Sequence, residues 1–179
     1  TSDYMWEKMK QEFSLPLSVS DYVQQMTALR QAMIKRDGIR VIPHVQEFVK
    51  GLSQSGLKLA VASSSSLAEI KVNLAEIGLS EYFSEVVSTE EVENSKPDPD
   101  VYLAAAERIG VMPENCLGIE DTKNGTGAVH NAGMVCVGFA NPVFPKQDLA
   151  FADTVVSSFT DLDADSLTKI YQKVRESHA

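Results

Sequence analysis

The segment Cys116-Leu-Gly-Ile-Glu120-Asp121-Thr-Lys-Asn-Gly125 decides the fold. Its apolar half predicts a short buried strand over residues 116–119, which ends in two adjacent carboxylates and leads into a short helix. A buried strand that breaks off into polar residues is typical of a parallel α/β sheet, where ligands bind at the carboxyl ends of the strands. Two neighbouring carboxylates repel each other unless a cation lies beside them, so they indicate a site for Mg²⁺. The alternative is that Asp121 only caps the following helix.

Two other predicted strands end in residues of complementary chemistry. Residues 58–63 form an apolar strand that runs into four serines, Ser63 to Ser66, and residues 86–88 form a shorter strand followed by Lys96. The carboxyl ends of parallel strands meet at one edge of a sheet, so a hydroxyl, a lysine and two carboxylates are expected there together. With the N–H groups of a helix N-terminus, this combination suits a phosphoryl group and its Mg²⁺.

The order of these residues along the chain resembles the haloacid dehalogenase superfamily of phosphotransferases. Its second, third and fourth motifs match Val61-Ala-Ser-Ser-Ser, Ser95-Lys-Pro-Asp-Pro and Gly118-Ile-Glu-Asp-Thr, in the form typical of the β-phosphoglucomutase-like branch that acts on sugar phosphates. The family's first motif, Asp-x-Asp-Gly-Thr, supplies the nucleophile and the general acid/base, and no segment of this sequence matches it. The resemblance therefore implies that the intact protein has a further strand, and that these 179 residues alone are inactive.

The resemblance also implies an architecture, namely an α/β protein with a three-layer, Rossmann-like parallel sheet and a partial helical cap. Residues 1–40 are expected to form the partial cap as an αα-hairpin, and residues 41–179 the core without its first strand. That strand belongs between strands 58–63 and 116–119, so these two are predicted not to pair with each other. An N-terminal peptide, a swapped strand or residues outside this sequence would fill the place.

Hydrophobic periodicity predicts alternating strands and helices from residue 45 onward. The predicted strands are 58–63, 86–88, 116–119, 134–138 and 154–156. The predicted helices are 45–53, 67–77, 101–109, 125–132 and 165–176, with a short helical piece near 147–151. Asp161 and Asp163 imitate the missing motif, but Ala164 and Asp165 follow where Gly-Thr should stand. We therefore interpret Asp163 or Asp165 as the cap of the last helix.

Roles for individual residues follow from the resemblance. Catalysis and phosphate binding are expected from Lys96, Ser63 and the backbone N–H of Ser64. Asp121 is expected to hold Mg²⁺ directly, with Glu120 beside it or acting through water. Further substrate contacts are expected from Ser65, Ser66 and Asn124. Some mutases of the family carry a basic residue where Ser66 stands, so Ser66 favours a phosphatase over a mutase.

Composition limits the range of partners. The chain has a net charge of −9 and no basic patch, which argues against nucleic acid and anionic membranes as partners. No apolar run reaches membrane-spanning length, and no signal-peptide pattern opens the sequence. Two cysteines in predicted buried strands indicate packing in a reducing compartment rather than a disulfide framework. We expect a cytoplasmic monomer that acts on a small phosphorylated metabolite, a sugar phosphate.

Two alternatives remain open at this stage, and the order of the motifs argues against a third. A phosphomutase of the β-phosphoglucomutase type would use the same residues. A catalytically inactive phosphate-binding module would also fit a sequence without the nucleophile. A receiver domain shares the carboxylates, hydroxyl and Lys-Pro, but it places the acidic pair first and Lys-Pro last, the reverse of the order found here.

Overall fold

The computed structural model describes residues 2–177, excluding the side chain of Ser2, and these residues divide into two compact units between Arg40 and Val41. The first unit contains two helices, α1 (Ser2–Phe13) and α2 (Val19–Asp37). Ser18 begins α2 through a capping box, in which its hydroxyl accepts the Asp21 N–H at 3.1 Å and the Asp21 carboxylate accepts the Ser18 N–H. The two helices form the predicted αα-hairpin.

Apolar side chains of this hairpin remain in solvent. Trp6 of α1 stacks on Tyr22 of α2, with ring centroids 4.8 Å apart. Within the first unit, however, Phe13 and Leu29 are 61% and 63% exposed, and α2 has no buried residue. Two helices have too little facing surface to bury their apolar residues, and the assignment of residues 1–40 as a partial cap stays a prediction.

The second unit alternates strands and helices as predicted. In chain order its elements are α3 (Val45–Gln54), β1 (Ala60–Ser63), α4 (Leu67–Glu76), β2 (Glu85–Ser88), α5 (Asp100–Arg108), β3 (Leu117–Glu120), α6 (Lys123–Asn131), β4 (Val135–Phe139), β5 (Thr154–Val156) and α7 (Ala164–Ser177). Every pair of neighbouring strands is parallel. The α/β class and the parallel sheet are therefore confirmed.

Some details of the prediction are wrong or shifted. No helix forms at 147–151, because Leu149 and Ala152 close a turn there instead, with the Ala152 N–H donating to the Leu149 carbonyl at 2.9 Å. Cys116 lies just before β3 and is partly buried, whereas Cys136 is fully buried in β4, and both are free thiols. Asp163 caps α7 as predicted, since its carboxylate accepts the Ser166 N–H at 2.7 Å.

Two apolar clusters lie on opposite faces of the strands. One packs α5 and α6 against the sheet through residues such as Val101, Ala105, Val129 and Cys136. The other joins α3 and α7 to the opposite face, and its members include Phe48, Val49, Val137, Phe139 and Leu167. The side chains of Cys136 and Val137 alternate between the two clusters, as successive residues of a strand must. The strands thus form the middle layer of three.

The middle layer is split between β1 and β3. β1 pairs with β2, and β3 pairs with β4, which pairs with β5, giving two separate sheets. Within residues 2–177 the strands β1 and β3 do not pair with each other, as predicted. Instead both line a cavity of about 640 Å³, bounded by residues 60–62 and 117–120 and covered by Phe48 and Val49 from one helical layer and by Tyr102 and Ala105 from the other. We call this cavity the strand slot.

A close contact fixes β3 against α6, and it predicts a large cost for Gly118→Ala. A Cβ atom at Gly118 would lie 2.6 and 2.8 Å from the two methyl groups of Val129, which is fully buried. We expect this substitution to lower the free energy of unfolding by about 1–3 kcal/mol, because the packed helix cannot retreat without loss. Urea denaturation measures the difference.

Gly51→Ala provides the matched control for this substitution. Gly51 is exposed within α3, and a Cβ atom there would meet nothing within 4 Å. Alanine at this position should stabilise the protein by about 0.5–1 kcal/mol, since glycine is a poor helix residue. Equal effects of the two substitutions would show that the contact between β3 and α6 is not as close as described.

Candidate active site

Lys96 lies at the centre of the site and joins the two separate sheets. Its ammonium donates a hydrogen bond to the Ala62 carbonyl of β1 at 3.1 Å and pairs with Oε1 of Glu120, the last residue of β3, at 2.5 Å. The Lys96 and Glu120 side chains are each only 11% exposed. The ion pair therefore lies at the end of the strand slot where β1 and β3 have their carboxyl ends, and it connects those two ends.

Tyr102 completes this cluster and was missed in the sequence. Its hydroxyl accepts a hydrogen bond from the Lys96 ammonium at 3.1 Å and donates one to Oε1 of Glu120. The Lys96 ammonium also lies 4.8 Å from the centre of the Tyr102 ring. Burial, followed by the negative charge of Glu120, raises the pKa of Tyr102 well above its ordinary value, so the hydroxyl stays protonated. A tyrosine in the first turn of the helix after Lys-Pro was the available signal, because a buried tyrosine hydroxyl needs a polar partner.

Glu120 is held from several directions. Oε1 contacts Lys96 and Tyr102, and Oε2 accepts the backbone N–H of Asp121 at 3.2 Å. Gly125 of α6 leaves the space that this carboxylate occupies, since a Cβ atom there would lie 2.0 Å from Oε2. Both oxygens of Glu120 are thus committed to protein donors.

Asp121 is the freer of the two carboxylates. It is half-buried, and its pKa is raised first by that burial and then by the charge of Glu120, while Lys96 has a smaller opposing effect. The helix-cap interpretation of Asp121 is wrong, because Thr122 caps α6 by accepting the Gly125 N–H at 3.0 Å. Asp121 instead lines a cavity of about 720 Å³ together with Thr122 and Asn141. A carboxylate whose charge is destabilised by burial and by a neighbouring carboxylate, and which borders open space, suits a cation.

The serines after β1 have distinct positions. Ser63 ends β1 directly after Ala62, and its hydroxyl accepts the Ser65 N–H at 3.2 Å. Ser64 is exposed. Ser66 caps α4, with its hydroxyl accepting the Glu69 N–H at 3.3 Å and its own N–H donating to the Glu69 carboxylate. Ser66 is therefore used in starting the helix, and Ser63 and Ser64 directly follow the β1 residues that line the strand slot.

The structure brings most of the predicted site residues to one end of the sheets. Lys96, Glu120 and Asp121 form one charged cluster, and Ser63 directly follows Ala62, whose carbonyl accepts a hydrogen bond from Lys96. Asn124 is exposed in the first turn of α6.

Comparison with known proteins agrees with the arrangement of these elements. The family model described as haloacid dehalogenase-like hydrolase matches residues 3–139. The phosphoglycolate phosphatase of Salmonella choleraesuis is 30% identical over 131 residues, which are 72% of this chain and 52% of that protein. This chain spans about half the length of the curated relatives it matches.

Two solved structures have the same fold. The β-phosphoglucomutase of Clostridium difficile superposes with a TM-score of 0.75 at 25% identity, covering 94% of this chain and 77% of that one. The CbbY protein of Rhodobacter sphaeroides, solved in complex with phosphate, gives a TM-score of 0.73 at 27% identity, covering 83% and 67%.

The raised pKa of Asp121 predicts how stability depends on pH. A carboxyl group that binds its proton more tightly in the folded state stabilises that state at low pH and loses this contribution as pH rises through its folded pKa. Asp121→Asn removes the charge, so this variant should have a higher urea midpoint than the wild type at pH 7, and the gap should close near pH 3.

Glu107→Gln is the control for this experiment, because Glu107 is an exposed carboxylate on α5. It removes a charge without relieving burial, and we expect no comparable gain at pH 7. A loss of stability in Asp121→Asn at pH 7 would contradict the raised pKa of Asp121 in the folded protein.

Proposed function

Since this chain belongs to the haloacid dehalogenase-like hydrolase family, we propose that the intact protein is a Mg²⁺-dependent phosphoryl-transfer enzyme. Its substrate is a small phosphorylated metabolite, and its reaction is hydrolysis of a sugar phosphate. The observation that carries the proposal is the buried Lys96–Glu120 pair, which lies beside Asp121 and at the end of the strand that carries Ser63. It supplies a fixed positive charge and a carboxylate at one end of two parallel sheets.

The anion would bind on the Ser63 side of this cluster. The Ser63 hydroxyl and the backbone N–H of exposed Ser64 precede α4, whose N-terminus favours negative charge. Lys96 offers a buried ammonium 3.1 Å from the Ala62 carbonyl, next to Ser63. The Ser63 hydroxyl and the Ser64 N–H would orient the phosphoryl oxygens, and the positive charge of Lys96 would stabilise the negative charge that grows on them during transfer.

Asp121 fits a hard cation at one corner of the site. It has a carboxylate destabilised by burial and by Glu120, and it borders a cavity with room for water. Within residues 2–177 no group of three or more histidine, cysteine or carboxylate side chains is placed to hold a metal ion. The remaining ligands of a Mg²⁺ ion at Asp121 would therefore be water molecules and residues from outside the described part of the chain. Glu120 would act beside it or through water. When bound, Mg²⁺ neutralises phosphoryl oxygens and offsets the repulsion between the carboxylates.

The strand slot supports the proposal that a further strand completes the enzyme. Its walls include the edges of β1 and β3 and two apolar helical layers, which together would receive an extended segment with a parallel neighbour on each side. In the family resemblance this segment carries the nucleophilic Asp at its carboxyl end, beside Lys96. The 179-residue chain without that strand would bind ligands weakly and turn over no substrate.

Hydrolysis is favoured over mutase activity by one observation. Ser66 and Glu69 form a capping box at α4, so position 66 offers no cation for a second phosphate group. The structural likeness to a β-phosphoglucomutase keeps phosphomutase as the second candidate. No helix in residues 2–177 is long and apolar enough to span a membrane. The cytoplasmic location and the monomeric state stay predictions.

The metal assignment predicts the effect of Asp121→Ala on Mg²⁺ binding. Loss of the freer of the two carboxylates should weaken binding at least about tenfold, since hard cations in such sites depend on few direct carboxylates. Isothermal titration calorimetry at pH 7.5 measures it, with Glu107→Ala as an exposed control on α5. Unchanged affinity in Asp121→Ala would show that the cation, if bound, lies elsewhere.

The activity proposal predicts a difference between the chain alone and the completed protein. We expect no Mg²⁺-dependent hydrolysis of p-nitrophenyl phosphate or of a sugar-phosphate panel by the 179 residues. We expect hydrolysis after fusion to a strand that ends in Asp-x-Asp-Gly-Thr. Lys96→Ala in the fused protein should lower the rate about a hundredfold or more. Metal-dependent turnover by the unfused chain would mean that the nucleophile lies within it.

A further inference from the structure

We propose that Tyr102 is a positioning residue, whose hydroxyl holds the Lys96 ammonium and the Glu120 carboxylate in the single orientation that phosphoryl transfer requires. This inference rests on the proposed function for its purpose. The geometry it describes can be tested without any activity.

The hydroxyl of Tyr102 is bonded on both sides. It accepts from the Lys96 ammonium at 3.1 Å and donates to Oε1 of Glu120, while the tyrosine side chain itself lies in the core between α5 and the sheet. Only 8% of Tyr102 is exposed. Packing therefore fixes the ring, and the hydroxyl oxygen keeps one position beside the strand slot.

All three N–H groups of the Lys96 ammonium donate hydrogen bonds within the cluster. A lysine ammonium has three N–H groups. Its acceptors here are the Ala62 carbonyl, Oε1 of Glu120 and the Tyr102 hydroxyl, which lie in three different elements of the fold. Three fixed acceptors define the rotation of the ammonium about its last bond. Without the hydroxyl, one N–H would lose its acceptor, and the terminal group of this flexible side chain would become free to reorient.

The same hydroxyl decides what Glu120 can do. Oε1 receives donors from both Lys96 and Tyr102, while Oε2 faces the Asp121 N–H. A carboxylate with both oxygens occupied is a poor direct ligand, so Tyr102 keeps Glu120 as the partner of the lysine. The direct metal ligand is then the neighbouring Asp121.

Tyr102→Phe distinguishes the contribution of the hydroxyl from that of the ring. Phenylalanine retains the packing and the face over which the Lys96 ammonium lies at 4.8 Å. Tyr171→Phe is a matched control, because the Tyr171 hydroxyl also donates to protein acceptors, the Glu114 carbonyl at 2.9 Å and Asn115, and Arg175 lies 5.5 Å from its ring. Both variants lose one bonded hydroxyl, but only Tyr102 belongs to the cluster.

The readout is hydrogen exchange of the lysine ammonium groups, observed by ¹⁵N NMR of the 179-residue chain. Lys96→Arg identifies the Lys96 signal by its disappearance. We expect a slowly exchanging Lys96 ammonium in the wild type, exchange about tenfold faster in Tyr102→Phe, the equivalent of about one lost hydrogen bond, and no change in Tyr171→Phe. Unchanged Lys96 exchange in Tyr102→Phe overturns the proposal.

A second measurement needs only the wild-type chain, in case Tyr102→Phe does not fold. The Tyr102 hydroxyl proton should be visible and show a nuclear Overhauser effect to the Lys96 side chain; a rapidly exchanging hydroxyl without that effect overturns the proposal. Orthophosphate binding with Mg²⁺ is followed in parallel in the protein fused to a strand that ends in Asp-x-Asp-Gly-Thr. If orthophosphate fails to bind while Lys96 exchange responds to Tyr102→Phe, the proposed function is wrong and the positioning of Lys96 by Tyr102 stands.

Discussion

The buried ion pair between Lys96 and Glu120 is the constraint on which the site depends. Removing one partner of such a pair typically costs about 3–5 kcal/mol, because the other charge is left without compensation. The surrounding sequence is shaped to keep both partners. Gly125 leaves room for the Glu120 carboxylate, and Tyr102 fills the remaining donor and acceptor positions. The pair also ties the end of β1 to the end of β3, which no backbone pairing does among residues 2–177.

The strand slot shows how a layered fold persists around an unpaired middle. The helical layer of α5 and α6 contacts strands on both sides of the split, since its apolar cluster contains Val87 of β2 with Cys136 of β4. Side-chain packing thus holds the halves in place, while the facing edges of β1 and β3 keep backbone groups that a neighbouring strand would satisfy. Each such group costs about 1–3 kcal/mol when buried without a partner. A further strand between β1 and β3 would therefore stabilise this structure by satisfying those backbone groups.

Much of the fold follows from local pattern, and the remainder depends on contacts between distant residues. Alternating apolar strands and amphipathic helices place the elements within one or two residues, as with β4, predicted at 134–138 and found at Val135–Phe139. The segment 147–151 lacks a helix because its turn packs Leu149 close to Gly138. Likewise, Thr122 rather than Asp121 caps α6. Tyr102 of α5 meets Glu120 of β3 only because α5 packs on β1 and β2, beside the end of β3, which no local rule shows.

The charges of the cluster explain why an anionic substrate would need a divalent cation here. Glu120 and Asp121 carry two negative charges when ionised, against the single positive charge of Lys96, so the cluster is negative by one in a chain whose net charge is already −9. A phosphoryl group would meet repulsion at close range, where low dielectric strengthens every charge. The helix N-terminus after Ser66 contributes only about half a positive charge. A divalent cation at Asp121 would reverse the sign of the cluster, and the charge of Lys96 would then stabilise the phosphoryl oxygens as well as Glu120.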